Sequence, residues 1–365
     1  MALAPNDWTR LHTAGPAPRA DELLISADSH VIESPTFWAD NVPAAFREQA
    51  PRFPAPKARE GFSMQLGGSD PSKRVAEMAQ DGVSAEVLYP TLGLGLFGLD
   101  NAAMQEACFR AYNDWLVEYC SAAPERLWGA ALISTYDIEH GIQEMERCRR
   151  LGLRSAMIWQ VPHPDLPFES THYERFWAAA SDLGMPLSLH IITGHGYSKT
   201  MGDLGALRGT TPYRYLVNLK LLEGMDAVLG ILGSGALYRN PNLKLLLVEN
   251  EIGWIPFVFD QWDKYARRWS KVNPLPGKEV PSDYFGSQIF ASFFFDRVGA
   301  HNLSWWGVDG CLWSNDYPHA NTTWPNSREV IARDLGHLPA DDRAKLVRLN
   351  AARLFGLRIP EPVTV

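Results

Sequence analysis

The sequence predicts an α/β protein, a distorted (β/α)8 TIM barrel, on three observations. Eight short apolar runs rich in β-branched residues alternate with longer stretches of helical periodicity, as buried parallel strands and their covering helices do. No glycine-rich dinucleotide fingerprint follows the first run, which argues against an open Rossmann-type sheet. The length of 365 residues suits one large barrel with enlarged loops after strands 1, 5 and 6.

The apolar runs define the predicted strands in chain order. They are residues 23–28, 84–91, 128–134, 155–159, 186–191, 243–250, 288–295 and 311–316. Helices are predicted at 102–122, 138–150, 173–183 and 339–355. Asp137 is placed to cap the helix at 138–150, and Gly152 follows its end. In the last helix acidic residues come early and arginines come late, which suits the helix dipole.

Composition limits the class of function. The formal net charge is −8, from 34 Lys and Arg against 42 Asp and Glu, and no polybasic run occurs, so we expect neither nucleic acid nor membrane as a partner. The four cysteines form no CxxC pair, and nowhere do 18 apolar residues run together. We predict a soluble cytoplasmic protein that acts on a small molecule. Residues 1–22 are predicted to form an N-terminal arm, and residues 23–365 a single barrel domain.

Polar side chains collect where predicted strands 1, 5, 6 and 8 end. In a TIM barrel these carboxyl ends meet at one mouth, where the working residues lie. Asp28 and His30 are two residues apart, so on a strand both side chains share one face. The other candidates are His190 and His195 of strand 5 and its loop, Glu249 and Asn250 after strand 6, and Asp316 and His319 at strand 8. Imidazoles and carboxylates converging from several strands suit a divalent zinc, manganese or iron ion.

Each candidate also has a purely structural interpretation. A DxH pair is common, and a histidine after an apolar strand, such as His190, is more often a hydrogen-bonded core residue. Asp316 would serve equally to cap a turn before Pro318, and Glu33 to begin the following helix. The metal hypothesis rests on the conjunction, because three strand ends would bring their candidates to the same mouth.

Four runs of the sequence carry a family resemblance. They are ISADSHVIESP (25–35), MPLSLHIITGHG (185–196), RNPNLKLLLVENEIGWIP (239–256) and CLWSNDYPHANTTWPNS (311–327). Together they resemble the amidohydrolase-2 branch of the amidohydrolase superfamily, which contains aminocarboxymuconate-semialdehyde and γ-resorcylate decarboxylases with their hydratase and hydrolase relatives. The resemblance implies a TIM barrel with one divalent metal ion, and a homo-oligomer, either a dimer or a tetramer.

Carried onto this chain, the resemblance implies that Asp28, His30, His190 and Asp316 bind the metal and that Asp316 also handles protons. The chain departs from the family pattern at two positions. Asp28 stands where the family has histidine or glutamate. The resemblance puts Asn250 in the place of an acid/base histidine on strand 6. Because an asparagine side chain cannot shuttle a proton, that role either passes to Glu249, His195 or His319 or is absent.

The expected activity is metal-dependent, non-oxidative decarboxylation of a small aromatic or unsaturated acid. The ion is expected to be zinc or manganese, with iron as the third choice. Hydrolysis of a C–N or C–C bond by metal-activated water is the alternative, and a catalytically degenerate metabolite-binding barrel is the second alternative. Arg297 is a candidate clamp for a carboxylate, although a surface arginine paired nearby is as good an interpretation. Trp159, Phe294 and Asn250 are the remaining candidates for substrate contact.

Overall fold

The computed structural model describes residues 18, 22–54, 66–196, 217, 219–278 and 280–359. Eight parallel strands succeed one another in sequence order, and each pairs with the next along the chain. They are β1 Ile25–Val31, β2 Ala85–Pro90, β3 Leu127–Leu132, β4 Ser155–Ile158, β5 Leu187–His190, β6 Leu245–Val248, β7 Ile289–Phe293 and β8 Cys311–Trp313. This order of parallel strands, alternating with helices, confirms the predicted TIM barrel.

Helices cover the strands on the outside. The α-helices among the described residues are α1 Phe37–Asn41, α2 Pro71–Asp81, α3 Ala102–Ser121, α4 Ile138–Arg150, α5 Glu174–Leu183, α6 Gly224–Ser234, α7 Ala236–Arg239, α8 Ile255–Trp269, α9 Arg297–Trp306, α10 Ser327–Leu335 and α11. Helix α11 consists of Ala340–Ala344 and Asn350–Phe355, joined by the π-helical segment Lys345–Leu349. A π-helical turn, Leu219–Glu223, leads directly into α6. None of the described helices has both the length and the apolar character that a membrane span requires.

Individual residues fix where α3 and α4 begin and where α2 ends. Asp137 accepts a hydrogen bond from the backbone N–H of His140 at 3.0 Å, so the predicted cap of α4 is confirmed. Asn101 caps α3 in the same way, accepting from Met104 N at 3.1 Å. Gly82, with φ of 72°, ends α2 in the left-handed conformation that favours glycine.

All eight predicted strands are present. β1 continues three residues beyond its predicted end, to Val31, whereas β6 and β8 end earlier than predicted. β6 ends at Val248 and β8 ends at Trp313. The reason is local, because Glu249 and Asp316 have φ values of 61° and 52°, which no strand can accommodate. After each of these two strands the backbone therefore turns away from the sheet at the mouth. The predicted arm at 1–22 lies outside the described residues, apart from residues 18 and 22.

Backbone hydrogen bonds join the last strand end to the first at the mouth. Asp316 N donates to Asp28 O at 3.1 Å, and His30 N donates to Tyr317 O at 2.6 Å. The segment after β8 therefore lies directly beside β1. This contact brings the polar residues of the two chain ends together, although nearly 290 positions separate them in the sequence.

Candidate metal centre

Two histidines at the mouth present the same ring nitrogen to a common space. His30, near the end of β1, has its Nδ1 2.8 Å from Pro90 O, and His190, the last residue of β5, has its Nδ1 2.9 Å from Ile191 O. Because a carbonyl only accepts hydrogen bonds, each Nδ1 carries the proton and each Nε2 keeps its lone pair. This tautomer, fixed by a backbone carbonyl, is the one in which histidine binds metals through Nε2.

The carboxylates of Asp28 and Asp316 lie beside these nitrogens. Asp28 Oδ1 is 3.4 Å from His30 Nε2 and 3.7 Å from His190 Nε2. Asp316 Oδ1 is also 3.4 Å from His30 Nε2. The structure thus brings together the four residues that the resemblance implied as ligands.

The donor atoms fit a divalent cation. Both carboxylate oxygens of Asp28 and the Nε2 atoms of His30 and His190 are buried and make no hydrogen bond to any residue in the described ranges. Buried polar atoms normally have partners, because leaving them unpaired costs free energy. Asp28, His30 and His190 offer ligand atoms that all lie within 4.8 Å of one another. Two imidazoles with two carboxylates form a ligand set suited to zinc, manganese or iron.

Burial and neighbouring charges set the ionisation of the two aspartates in opposite directions. Burial opposes ionisation of Asp28, but the neighbouring His190 and His30 rings outweigh it and lower the pKa of this carboxyl. Burial, together with the charge of Asp28, raises the pKa of Asp316 to about 7, although His30 acts in the other direction. The pair therefore combines a permanent carboxylate with one that can hold a proton near neutral pH.

His319 connects Asp316 to the outer part of the mouth. Its Nδ1 lies 2.9 Å from Asp316 Oδ1, its Nε2 lies 3.1 Å from the hydroxyl of Thr91, and its ring stacks on His30 with centroids 3.9 Å apart. Burial lowers the pKa of His319 to about 4, so the ring is neutral at pH 7. A neutral imidazole can pass a proton from one nitrogen to the other.

The loop after β6 directs Glu249, rather than Asn250, into the mouth. Glu249 Oε2 is 3.9 Å from His190 Nε2, and burial raises the pKa of this carboxyl. Asn250 instead donates from Nδ2 to Gln160 Oε1 at 2.9 Å and to Val248 O at 2.9 Å, tying the ends of β4 and β6. The left-handed conformation of Glu249 causes this reversal, which the alternation of an ideal strand could not predict.

Lys220, Glu251 and Phe294 extend the site, and sequence analysis singled out only the last of them for a role. Lys220 Nζ lies 3.3 Å from Glu251 Oε1, 3.9 Å from Glu249 Oε1 and 5.0 Å from the centre of the Phe294 ring. Burial disfavours the charge on Lys220, yet Glu249 and Glu251 outweigh it and raise the pKa of the ammonium group. Lys220 lies in no motif, so the sequence offered no signal for it.

Glu33 lies next to the site but belongs to its scaffold. Its carboxyl group accepts hydrogen bonds from the backbone N–H groups of Thr91 at 3.2 Å, Leu92 at 2.9 Å and Gly93 at 3.2 Å. It therefore fixes the loop that follows β2, and with it the Thr91 hydroxyl that contacts His319.

Three predicted site residues lie in other surroundings. His195 Nε2 is 3.2 Å from Asp100 Oδ1 and 3.3 Å from the hydroxyl of Tyr136. Trp159 packs edge-on against the same tyrosine and donates to Tyr173. Arg297 begins α9, where its Nε lies 3.9 Å from Asp334 Oδ1. These contacts are with loops and helices around the barrel.

The fold and the site define a TIM-barrel enzyme whose strand ends form a candidate centre for one divalent cation. A family model, Amidohydrolase, matches residues 25–357. The chain therefore belongs to the amidohydrolase family.

Individual relatives and solved structures are also similar to this chain. The gamma-resorcylate decarboxylase of Rhizobium radiobacter is 26% identical over 276 residues, which cover 68% of this chain and 76% of the relative. A dihydroxybenzoic acid decarboxylase from Polaromonas sp. JS666, solved with manganese and the inhibitor 2-nitroresorcinol, superposes with a TM-score of 0.70 at 22% identity, covering 94% of this chain and 99% of the other. The 5-carboxyvanillate decarboxylase from Sphingomonas paucimobilis gives a TM-score of 0.69 at 22% identity, covering 92% and 100%.

Proposed function

We propose that this protein is a metal-dependent, non-oxidative decarboxylase of a hydroxylated aromatic acid. The observation that carries the proposal is the buried Asp316 carboxyl, whose Oδ1 lies 3.4 Å from His30 Nε2 of the candidate metal centre and 2.9 Å from His319 Nδ1. The relatedness to gamma-resorcylate decarboxylases supports the same reaction class.

Asp28, His30, His190 and Asp316 would hold one divalent ion, which we propose to be manganese or zinc. The two aspartates provide hard oxygen ligands, which favour manganese, and the relative from Polaromonas sp. JS666 was solved with that ion. When bound, the ion would fix the carboxylate and phenol oxygens of the substrate and stabilise their negative charge.

Asp316 would then supply the proton that replaces carbon dioxide. The proton passes from Asp316 to the ring carbon that bears the carboxylate, so a C–H bond forms. The C–C bond to the carboxylate breaks, carbon dioxide leaves, and the bonding electron pair restores the aromatic ring. General acid catalysis of this kind contributes roughly 10²–10⁴-fold to a rate.

We propose that His319 returns a proton to Asp316 after each turnover. Its two ring nitrogens contact Asp316 Oδ1 and the Thr91 hydroxyl, and its side chain is 17% exposed. Glu249, 3.9 Å from His190, would act as the second acid/base group at the mouth. We propose that Asn250 and His195 instead hold the surrounding loops, which agrees with their hydrogen bonds to Gln160 and Asp100.

The experiment is an assay of carbon dioxide release from 2,6-dihydroxybenzoate after chelator treatment and addition of manganese. We expect stoichiometric resorcinol, and a loss of about 10²-fold or more in Asp316→Asn. Asp309→Asn, an exposed aspartate just before β8, is the matched control and should retain full activity. Cleavage of amides or esters by a protein that leaves hydroxybenzoates intact would instead identify a hydrolase.

We further propose a cytoplasmic homo-oligomer, a dimer or tetramer. Helix α8 supports the oligomer, because it exposes three large apolar side chains that a second copy would cover. They are Phe257, Tyr265 and Trp269, which are 68%, 49% and 47% exposed. Light scattering during size-exclusion chromatography measures the mass directly, and a monomer would contradict the proposal.

A further inference from the structure

Two histidines and an aspartate meet on the rim of the barrel, and none of them is a proposed ligand of the centre at the mouth. Asp100 lies in the loop between β2 and α3, His163 follows β4, and His195 follows β5. Each residue offers one ligand atom, and the three atoms all lie within 4.8 Å of one another. Three loops of the rim therefore contribute to one small cluster.

Backbone hydrogen bonds hold the loops after β4 and β5 side by side. Val161 N donates to Thr193 O at 3.1 Å, and His195 N donates to Val161 O at 2.9 Å. The Thr193 hydroxyl accepts a further bond from Gln160 N at 2.8 Å. This pairing makes His163 and His195 neighbours, and their rings meet edge to face with centroids 4.8 Å apart.

Oxygen acceptors surround Nε2 of His195. Asp100 Oδ1 lies 3.2 Å from this nitrogen, and the Tyr136 hydroxyl lies 3.3 Å from it. The hydroxyl donates its own proton to Leu99 O at 2.9 Å, so it offers only lone pairs to the histidine. A carboxylate and a phenol oxygen therefore share one proton on His195 Nε2. A divalent cation in place of that proton would contact all three atoms.

His163 is oriented by Asp165. Its Nδ1 accepts a hydrogen bond from the backbone N of Asp165 at 3.2 Å and lies 3.7 Å from Oδ2 of the same residue. Nε2 is thus the nitrogen left for a cation. Once Nε2 binds one, Nδ1 carries the proton and can donate it to the Asp165 carboxylate. A carboxylate behind the imidazole in this way commonly supports zinc-binding histidines.

We propose that Asp100, His163 and His195 bind a zinc ion that joins the loops after β2, β4 and β5. Two imidazoles and one carboxylate are a known zinc ligand set that leaves a fourth position open. Zinc binds such a set more tightly than manganese does, which separates this site from the oxygen-richer set at the mouth. The side chains of His163 and Asp100 are 26% and 68% exposed, so an ion can enter from solvent.

The amount of zinc bound per chain after equilibrium dialysis tests the site. His163→Ala and Asp100→Asn should each bind one equivalent fewer than the unmodified protein. Asp100→Asn keeps an oxygen that accepts from His195, so a loss of zinc in this variant reports lost ligation rather than a broken hydrogen bond. Thermal unfolding without zinc checks that both variants fold, and we expect Tm values close to that of the unmodified protein.

His140→Ala is the matched control. His140 is 60% exposed and its Nδ1 lies 3.2 Å from Glu106 Oε2, so it represents an ordinary surface pair of histidine and carboxylate. This variant should bind as much zinc as the unmodified protein. Equal zinc contents in the unmodified protein and both rim variants would overturn the site, as would an equal loss in His140→Ala.

A double variant separates the rim from the mouth. His190→Ala removes a proposed ligand at the mouth alone, so His190→Ala/His163→Ala should bind one equivalent of zinc fewer than His190→Ala. Equal zinc contents in these two proteins would overturn the rim site. The comparison requires no substrate, so its outcome is independent of the reaction proposed for the mouth.

Discussion

Single residues show how the polar groups around the mouth are held, and Glu33 is the clearest case. Its side chain is buried behind the loop after β2, and its carboxyl group accepts hydrogen bonds from three backbone N–H groups of that loop. Burial nevertheless dominates and raises its pKa from 4.5 to about 7. Protonated Glu33 is therefore favoured in the folded chain more than in the unfolded chain.

This shift predicts a dependence of stability on pH. The contribution of Glu33 to the free energy of unfolding is fully present below pH 4.5 and is lost as the pH rises to about 7. The free energy of unfolding then falls by an amount on the order of 3 kcal/mol. Glu33→Gln, which stays neutral, should lack that change. Urea unfolding of the unmodified protein and the variant from pH 4.5 to 8 measures the difference between the two curves. Glu48→Gln, at an exposed position, is the control, and parallel curves for Glu33→Gln would contradict the prediction.

Residue-level prediction from sequence succeeded where strand geometry applies. Asp28 and His30 lie on β1, where alternation places both side chains on one face, and the structure brings them together. It could not choose between Glu249 and Asn250, because a left-handed residue reverses the order of faces. It could not find Lys220, which lies in no motif and in no predicted element.

At the scale of elements, a buried ion pair and its hydrogen bonds tie α2 to β1, β2 and the segment after β8. Arg74 of α2 donates from Nε to Glu86 Oε2 at 2.5 Å and from Nη1 to His30 O at 2.6 Å. Glu86, on β2, accepts from Asn315 Nδ2 at 3.0 Å, next to Asp316. Both charged side chains are almost fully buried. The network therefore holds the backbone at His30 and next to Asp316.

Arg74→Met should destabilise the fold and loosen the metal. The substitution leaves Glu86 as a buried charge without its cation, which costs about 3–5 kcal/mol. It also removes the donor to the His30 carbonyl, so we expect faster loss of manganese during dialysis. Urea unfolding and metal analysis measure the two effects.

The control for this variant is an exposed ion pair. Arg150 lies 3.9 Å from Glu146 on α4 and is 69% exposed, so Arg150→Met should cost less than about 1 kcal/mol. A similar small cost for Arg74→Met would contradict the role assigned to the buried pair. No sequence pattern links Arg74 to Glu86, since only the packing of α2 against the strands brings them together.

The whole molecule was more predictable than its parts. The count and order of apolar runs were sufficient for the barrel, because eight parallel strands with intervening helices have few ways to close. Barrel topology then predicted that Asp28, His190 and Asp316 share one mouth. It did not predict which rim residues turn inward, because the short segment between β6 and α8 begins with a left-handed residue, Glu249, and so departs from the alternation of a strand.

The metal should couple this mouth to the stability of the whole chain. Asp28, His30, His190 and Asp316 come from three separate regions of the sequence, so the complete ligand set exists only in the folded state. At a free manganese concentration of 100 times the Kd, binding adds about 2.7 kcal/mol, which raises the Tm of a chain of this size by about 3–4 °C. Chelator treatment should reverse the rise. His190→Ala should show neither bound manganese nor the rise, whereas His140→Ala, at an exposed position on α4, should show both. A metal-dependent rise that persists in His190→Ala would place the stabilising ion elsewhere and contradict the assigned ligands.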